Sequence, residues 1–296
     1  TYALEVARLG VRLYTPGHRV AWCGVLAPFD LLHAAGVASC FAEFVGAMLA
    51  STGTAAGPLE AAEQAGYAAD TCAYHRAVVG AAMQGMMPVP DFLVATTTPC
   101  TGGLAALENL ARIFRRELLV LQIPQTETAS GVRYLAKQLE GLARFAAGRA
   151  GGTVDPARVA AAVELSNRTR ELLVEIYDLA RRVPSPVGNR DLANFGIVVP
   201  LLMGSEAGLD VARATRDELA ARVDAGKAGI EGERFRLLWV QNRIQFKNPL
   251  LRLLEDEYRA VIVVDELNDV TWDAIDPADP YPGMARRAIG LPLNGP

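Results

Sequence analysis

Two of the four cysteines stand where an α/β chain places its chemistry. Cys100 lies in Thr98-Pro99-Cys100-Thr101-Gly102-Gly103, directly beyond the carboxyl end of a strand-like run at residues 91–97, and a helical pattern over 103–116 follows. Open α/β sheets hold ligands outside those strand ends. A helix start offers free backbone N–H groups and a positive dipole end, which favour a thiolate or an anion. Gly102 and Gly103 let the backbone pass close to something bulky. Cys72 opens the helical run 71–76, and twenty-seven residues separate it from Cys100, so the two form no local chelate and meet only through the fold. Two soft thiolates brought together without a disulfide suit an iron–sulfur cluster better than a hard cation. The spacing alone leaves open a plainer reading, in which each cysteine is a small buried hydrophobe. Cys23, ending a strand-like run at 19–23, and Cys40, in the apolar stretch 38–44, suit that plainer reading. The chain has no Cys-x-x-Cys and no zinc-finger spacing.

Positioning these residues requires an α/β frame, and the chain alternates short β-type runs with longer helical patterns, the rhythm of parallel sheets. Strands are expected at 19–23, 91–97 and 118–123, with buried strands at 236–240 and 260–264. Residues 28–36 read as a helix with Pro near its start and Gly at its end. Residues 61–84 carry helical spacing broken near Gly66, and 128–182 are almost wholly helical, with Asp155-Pro156 as an N-cap followed by Pro at the first helical position. Further helices are expected at 208–225 and 249–258, and Val183-Pro184-Ser185-Pro186 reads as a linker.

With 51% hydrophobic and 21% charged residues, disorder is excluded as a description of the chain. The net charge of −4 comes with no basic stripe to follow a phosphate backbone, so no nucleic-acid partner is expected. No apolar run reaches the ~18 residues of a membrane span, so no membrane partner is expected and the chain reads as cytoplasmic. It opens without Met and stops at Asn294-Gly295-Pro296 in a loop-like stretch, which reads as a piece of something longer.

Four passages resemble the iron–sulfur subunits of the 2-hydroxyacyl-CoA dehydratase and benzoyl-CoA reductase family, of the D-component type. They are residues 28–36 (Pro-Phe-Asp-Leu-Leu-His-Ala-Ala-Gly), residues 63–74 (Glu-Gln-Ala-Gly-Tyr-Ala-Ala-Asp-Thr-Cys-Ala-Tyr), the Cys100 loop, and residues 121–124 (Leu-Gln-Ile-Pro). The second and fourth look most like the benzoyl-CoA reductase branch; in the first, Asp30 stands where the family more often has Glu. The resemblance implies an α/β fold of two flavodoxin-like parallel-sheet lobes, residues 1–127 with the cluster cysteines and an incomplete 187–296, joined by a helical section at 128–186. It implies a 4Fe–4S cluster held by three cysteines, with one iron position open. Cys72 and Cys100 match the first two ligands, and the third is expected beyond residue 296. Cys23, Cys40 and His75 are conceivable substitutes, although His75, one helical step from Cys72, reads as a packing residue, and His33 as a packing or solvent-facing one.

By the same resemblance, an ATP-hydrolysing activator delivers one electron at low potential and a homologous second subunit completes the enzyme. The substrate is a CoA thioester, whose radical anion expels a 2-hydroxyl in dehydratases or is reduced at the ring in the aromatic branch. The aromatic branch is the expectation here. A 2-hydroxyacyl-CoA dehydratase, a double-cubane-cluster reductase and a non-catalytic scaffold subunit are the alternatives. Other sites carry less. Asp265, Glu266 and Asp269 gather after a strand and can be read as metal-binding carboxylates, or more ordinarily as a solvated loop that could face the cleft; Lys227-Ala228-Gly229 lacks the spacing of a phosphate loop; Ser205 forms no Gly-x-Ser-x-Gly elbow; and no Gly-x-Gly-x-x-Gly follows a strand.

Overall fold

The computed structural model describes residues 2–192, 201–242 and 244–292. After an opening helix α1 (Tyr2–Tyr14), the chain lays down β1 (Arg19–Cys23), α2 (Phe29–Ala34), β2 (Val37–Phe41), α3 (Glu43–Thr52), α4 (Ala56–Gln64), α5 (Ala73–Met83), β3 (Phe92–Thr96), α6 (Thr101–Phe114) and β4 (Leu118–Leu121). The four strands form one parallel sheet in the order β2-β1-β3-β4. This is the start of a flavodoxin-like order, in which the chain direction across the sheet reverses between β1 and β3. A parallel sheet is covered on both faces, so its strands read as unbroken apolar runs, and every residue of β3 (Phe-Leu-Val-Ala-Thr) is buried. Polar groups lock the sheet's amino edge. Asp91 accepts from the Val20 N–H at 2.8 Å and from Arg19 at 2.8 Å, and the Trp22 indole donates to Pro88 O at 3.0 Å.

Strand β2 is absent from the sequence expectations. It follows the six-residue α2 after only Ala35 and Gly36, and Gly36 takes φ +76° to make the turn. The expected break near Gly66 is real: that residue has φ +99°, and α5 starts afresh at Ala73.

The helical section comprises α7 (Ala129–Arg149) and α8 (Pro156–Ala180). The expected N-cap is present, with Asp155 accepting from Ala157 N at 3.0 Å. Beyond lie α9 (Glu206–Asp224), β5 (Phe235–Trp239), α10 (Leu250–Asp256), β6 (Ala260–Asp265) and α11 (Pro280–Gly290). Strands β5 and β6 pair in parallel. On the far edge of β6, the Asn189 side-chain amide donates to Ala260 O at 3.0 Å and accepts from Ile262 N at 2.7 Å, doing there what a neighbouring strand's peptide would do.

The expected buried strand at 236–240 needs correction. Observed β5 is largely exposed, with Phe235 at 49% and Leu238 at 59%. Its apolar letters report a fit to a pleated surface, and among the described residues little covers them. Two apolar cores result. The larger surrounds the first sheet and takes in α7 together with Met284 and Ile289 of α11, while the smaller joins β6 to α9. Helix α8 serves both, giving Val159 and Val163 to the first and Leu173, Ile176 and Tyr177 to the second. Among the described residues no helix is long and apolar enough to cross a membrane.

Candidate functional site

The carboxyl ends of both sheets open into one cavity of about 420 Å³. Its walls come from Val25 to Asp30 after β1, Phe41 and Glu43 after β2, Pro99 and Cys100 after β3, and Leu121 and Ile123 at β4. From the other side come Gln241 and Asn242 after β5, and Leu267, Asp269 and Trp272 after β6. Leucines of α7 and α8, with Met284 and Leu291, close it with hydrocarbon. This is where the reversal of strand order in an α/β sheet leaves a crevice.

The loops at the strand ends are tied to one another. The Thr96 hydroxyl donates to Thr98 O at 2.6 Å, and Thr97 Oγ1 accepts from the Ile123 N–H at 3.0 Å. That anchoring sets Cys100 immediately before α6, where its extended backbone turns the thiol back on the helix, and Sγ accepts from the Gly103 N–H at 3.2 Å. Cys72 holds the equivalent place before α5. Arg76 fixes the approach to that helix by pairing with Glu63 and donating from Nε to Thr71 O at 2.9 Å. The two helix starts pack close because Gly102 has no side chain: a Cβ there would stand 3.0 Å from the His75 ring. Helix α3 joins them through Gly46, where a Cβ would meet Tyr74 O at 3.1 Å. Helices α3, α5 and α6 thus bring their amino ends to one rim, and two of them carry an exposed, free cysteine there. Tyr74 lines the cavity beside Cys72, and its hydroxyl pKa is raised by burial and then by the neighbouring Cys72.

Cys23 and Cys40 stay away from this rim. They lie on adjacent strands inside the first sheet, both fully buried, so they are corrected as substitute ligands. Burial first, then Cys40 and Glu43, push the Cys23 thiol well up; burial first, then Glu43, do the same to Cys40. His75 is a packing residue in position, 7% exposed with its ring against Gly102 and Gly103, yet it also lines the cavity. Its Nε2 is 3.7 Å from Glu43 Oε1. His75 Nδ1, Glu43 Oε2 and Thr98 Oγ1 are buried polar atoms with no hydrogen-bond partner among the described residues. Such atoms cost about 1–3 kcal/mol each when nothing meets them. Of the acidic loop after β6, Asp269 faces the cavity, whereas Asp265 caps the short turn by accepting from Leu267 N at 3.0 Å and Glu266 accepts from Gln241 N at 2.9 Å. His33 is partly buried, and its pKa is lowered by burial and then by Arg12.

A second polar feature escapes sequence reasoning. Asp30, fully buried in the cavity wall, receives both Nη atoms of Arg287 from α11 at 2.7 and 3.0 Å, the Ser166 hydroxyl at 3.1 Å and the Leu31 N–H at 3.0 Å. Burial by itself would raise the Asp30 pKa; the Arg287 charge and these hydrogen bonds outweigh it and hold the carboxyl below its usual value. Gly204 permits the backbone to cross here, since a Cβ would lie 2.5 Å from Asp30 Cβ. Asp30 is visible in its motif, but Arg287 follows 257 residues later and gives no local signal.

The donor set fits an iron–sulfur group in part. Two accessible thiols, helix amino ends and an apolar surround are what such a group takes from a protein. Among the described residues, however, no three of His, Cys, Asp or Glu are arranged to hold a metal ion.

The model of the 2-hydroxyglutaryl-CoA dehydratase D-component matches residues 25–294, a span that contains every cavity-lining residue. The chain is also similar to lactoyl-CoA dehydratase subunit alpha of Anaerotignum propionicum, 24% identical over 247 residues that cover 75% of this chain and 58% of that protein. The chain therefore spans less than two thirds of that relative's length.

Proposed function

This chain belongs to the 2-hydroxyglutaryl-CoA dehydratase D-component family, and from that premise we propose that it is the cluster-carrying subunit of an enzyme that removes water from a 2-hydroxyacyl-CoA. The observation that carries the reading is that Cys72 and Cys100, far apart in sequence, both stand at helix starts lining one cavity. In the proposal, Cys72 and Cys100 hold a 4Fe–4S cluster with a third cysteine from beyond residue 296. When bound, the cluster supplies an electron at low potential. An ATP-dependent activator delivers that electron, and a homologous subunit completes the enzyme.

The chain's own residues do the rest. The Gly103 N–H at the start of α6 already donates to the Cys100 sulfur, and Cys72 stands at the same place before α5. The hydrocarbon of α7, α8 and α11 excludes water from the cavity, which strengthens every charge interaction inside it. Gln241 and Asn242, from the opposite lobe, bring amide groups that can orient the polar end of a thioester.

A second reading, reduction of an aromatic acyl-CoA, rests on the passages at residues 63–74 and 121–124. Electron stoichiometry separates the two. Dehydration to the enoyl-CoA is redox-neutral, so one delivered electron serves many turnovers, whereas ring reduction consumes two electrons per product. Anaerobic assays of the whole enzyme with activator, ATP and a reductant are expected to give enoyl-CoA from a 2-hydroxyacyl-CoA in large excess over reductant consumed. Two reductant electrons per product with benzoyl-CoA would favour the second reading, and turnover of neither thioester would overturn both.

A further inference from the structure

On the reading that this cavity takes the acyl end of a CoA thioester, we infer that it selects an uncharged, apolar acyl group and rejects one that ends in a second carboxylate. Among the described residues, Arg287 is the only lysine or arginine lining the cavity. Its guanidinium is already matched, fork to fork, by Asp30 at 2.7 and 3.0 Å, with Arg287 12% and Asp30 0% exposed at the side chain. A carboxylate arriving from the substrate thus finds the one permanent cation of the described lining neutralised. It also meets two further acids. Asp269 is served by Arg181 at 3.5 Å, from a residue outside the lining, and Glu43 presents a buried Oε2 with no hydrogen-bond partner among the described residues.

The lining therefore sets three carboxylates against one guanidinium and the His75 imidazole. The remaining wall is largely hydrocarbon, including Leu135, Leu139, Leu173 and Met284. Placing an unpaired carboxylate against such a wall forfeits its hydration without replacement, whereas an alkyl or aryl group gains by leaving water. The family is named for an enzyme of a dicarboxylic acyl-CoA; in this chain the Asp30–Arg287 pair leaves no free guanidinium in the described lining for the second carboxylate of such a substrate. Removing the Asp30 charge should expose a cation of the right sign in the right place.

The test is calorimetric titration of the protein, prepared anaerobically, with pentanoyl-CoA, glutaryl-CoA and the monomethyl ester of glutaryl-CoA. Pentanoyl and glutaryl share a five-carbon backbone, and the ester removes charge while adding little bulk. Pentanoyl-CoA is expected to bind at least about tenfold more tightly than glutaryl-CoA, and the ester to recover most of the difference. In Asp30→Asn, glutaryl-CoA is expected to gain on pentanoyl-CoA; the ester comparison in the wild type stands whether or not that variant folds. Equal or tighter binding of glutaryl-CoA, or an ester that binds as weakly as the acid, would overturn the selectivity while leaving the thioester site intact. Failure of all three to bind would instead remove the thioester reading on which it rests.

Discussion

The four cysteines divide between two regions about one sheet, and the division separates what strands do from what their ends do. Cys23 and Cys40 lie within β1 and β2, buried, with thiols that burial keeps protonated well past neutral pH. Cys72 and Cys100 lie where loops give way to helices, exposed, at the mouth of the cavity. The residue type is the same in both regions. The interior pair behaves as small hydrophobes, while the rim pair meets helix amino ends and open space. Position in the fold, strand interior or helix start, decides which thiols a ligand can reach.

The sharpest way to press the contrast between interior and rim is through charge. Arg287→Ala leaves the Asp30 carboxylate buried without its partner, and unfolding in denaturant is expected to show a loss of about 3–5 kcal/mol. At the rim, Arg76→Ala removes the partially exposed pair with Glu63 and is expected to cost about 1 kcal/mol or less. Equal losses would mean that Asp30 and Arg287 are not the closed pair described here.

The next effect is in pH. Because the folded Asp30 carboxyl titrates below its unfolded value of about 3.9, its contribution to stability is complete above that value and disappears as pH falls through the lower, folded value. The interior thiols act in the opposite direction. With folded values raised above the ordinary thiol value, they contribute stability below about pH 8.5 that drains away as pH rises, by up to about 1.4 kcal/mol per pH unit for each thiol. Unfolding midpoints followed from pH 8 to 10 should therefore fall less steeply in Cys23→Ala than in the wild type. An identical slope would contradict the burial of that thiol.

A further effect is steric. Gly102→Ala places a methyl 3.0 Å from the His75 ring and is expected to cost about 1–2 kcal/mol, with the helix starts forced apart. Gly148→Ala, where a Cβ meets nothing within 4 Å, is expected to be neutral or slightly stabilising, as alanine is the better helix former.

These elements also show what can be read from sequence. The covered strands β1, β3 and β6 are legible because burial on both faces writes an apolar run, and β4, half-buried at the sheet edge, is legible because all four of its residues are apolar. Strand β2 is not, since Ser39 interrupts the apolar signal and the strand follows α2 after a two-residue turn. Strand β5 is legible as a strand and misleading about burial, because Phe-Arg-Leu-Leu-Trp states what fits a pleat and not what lies above it. At the site, the placement of Cys72 and Cys100 at helix starts can be read locally. The Asp30–Arg287 pair, the approach of Glu43 to His75 and the walls supplied by the second sheet are products of tertiary packing between distant segments, and no local pattern encodes them.

The measurement that bears most directly on the role of the rim is iron content, read together with the Mössbauer spectrum, of the anaerobically prepared full-length protein and four single variants. Cys72→Ser and Cys100→Ser are expected to lose the cluster, while Cys23→Ala and Cys40→Ala keep about four irons per subunit with an unchanged spectrum. A cluster retained in full by both rim variants, or lost in the interior ones while the fold persists, would contradict the assignment of Cys72 and Cys100 as its ligands.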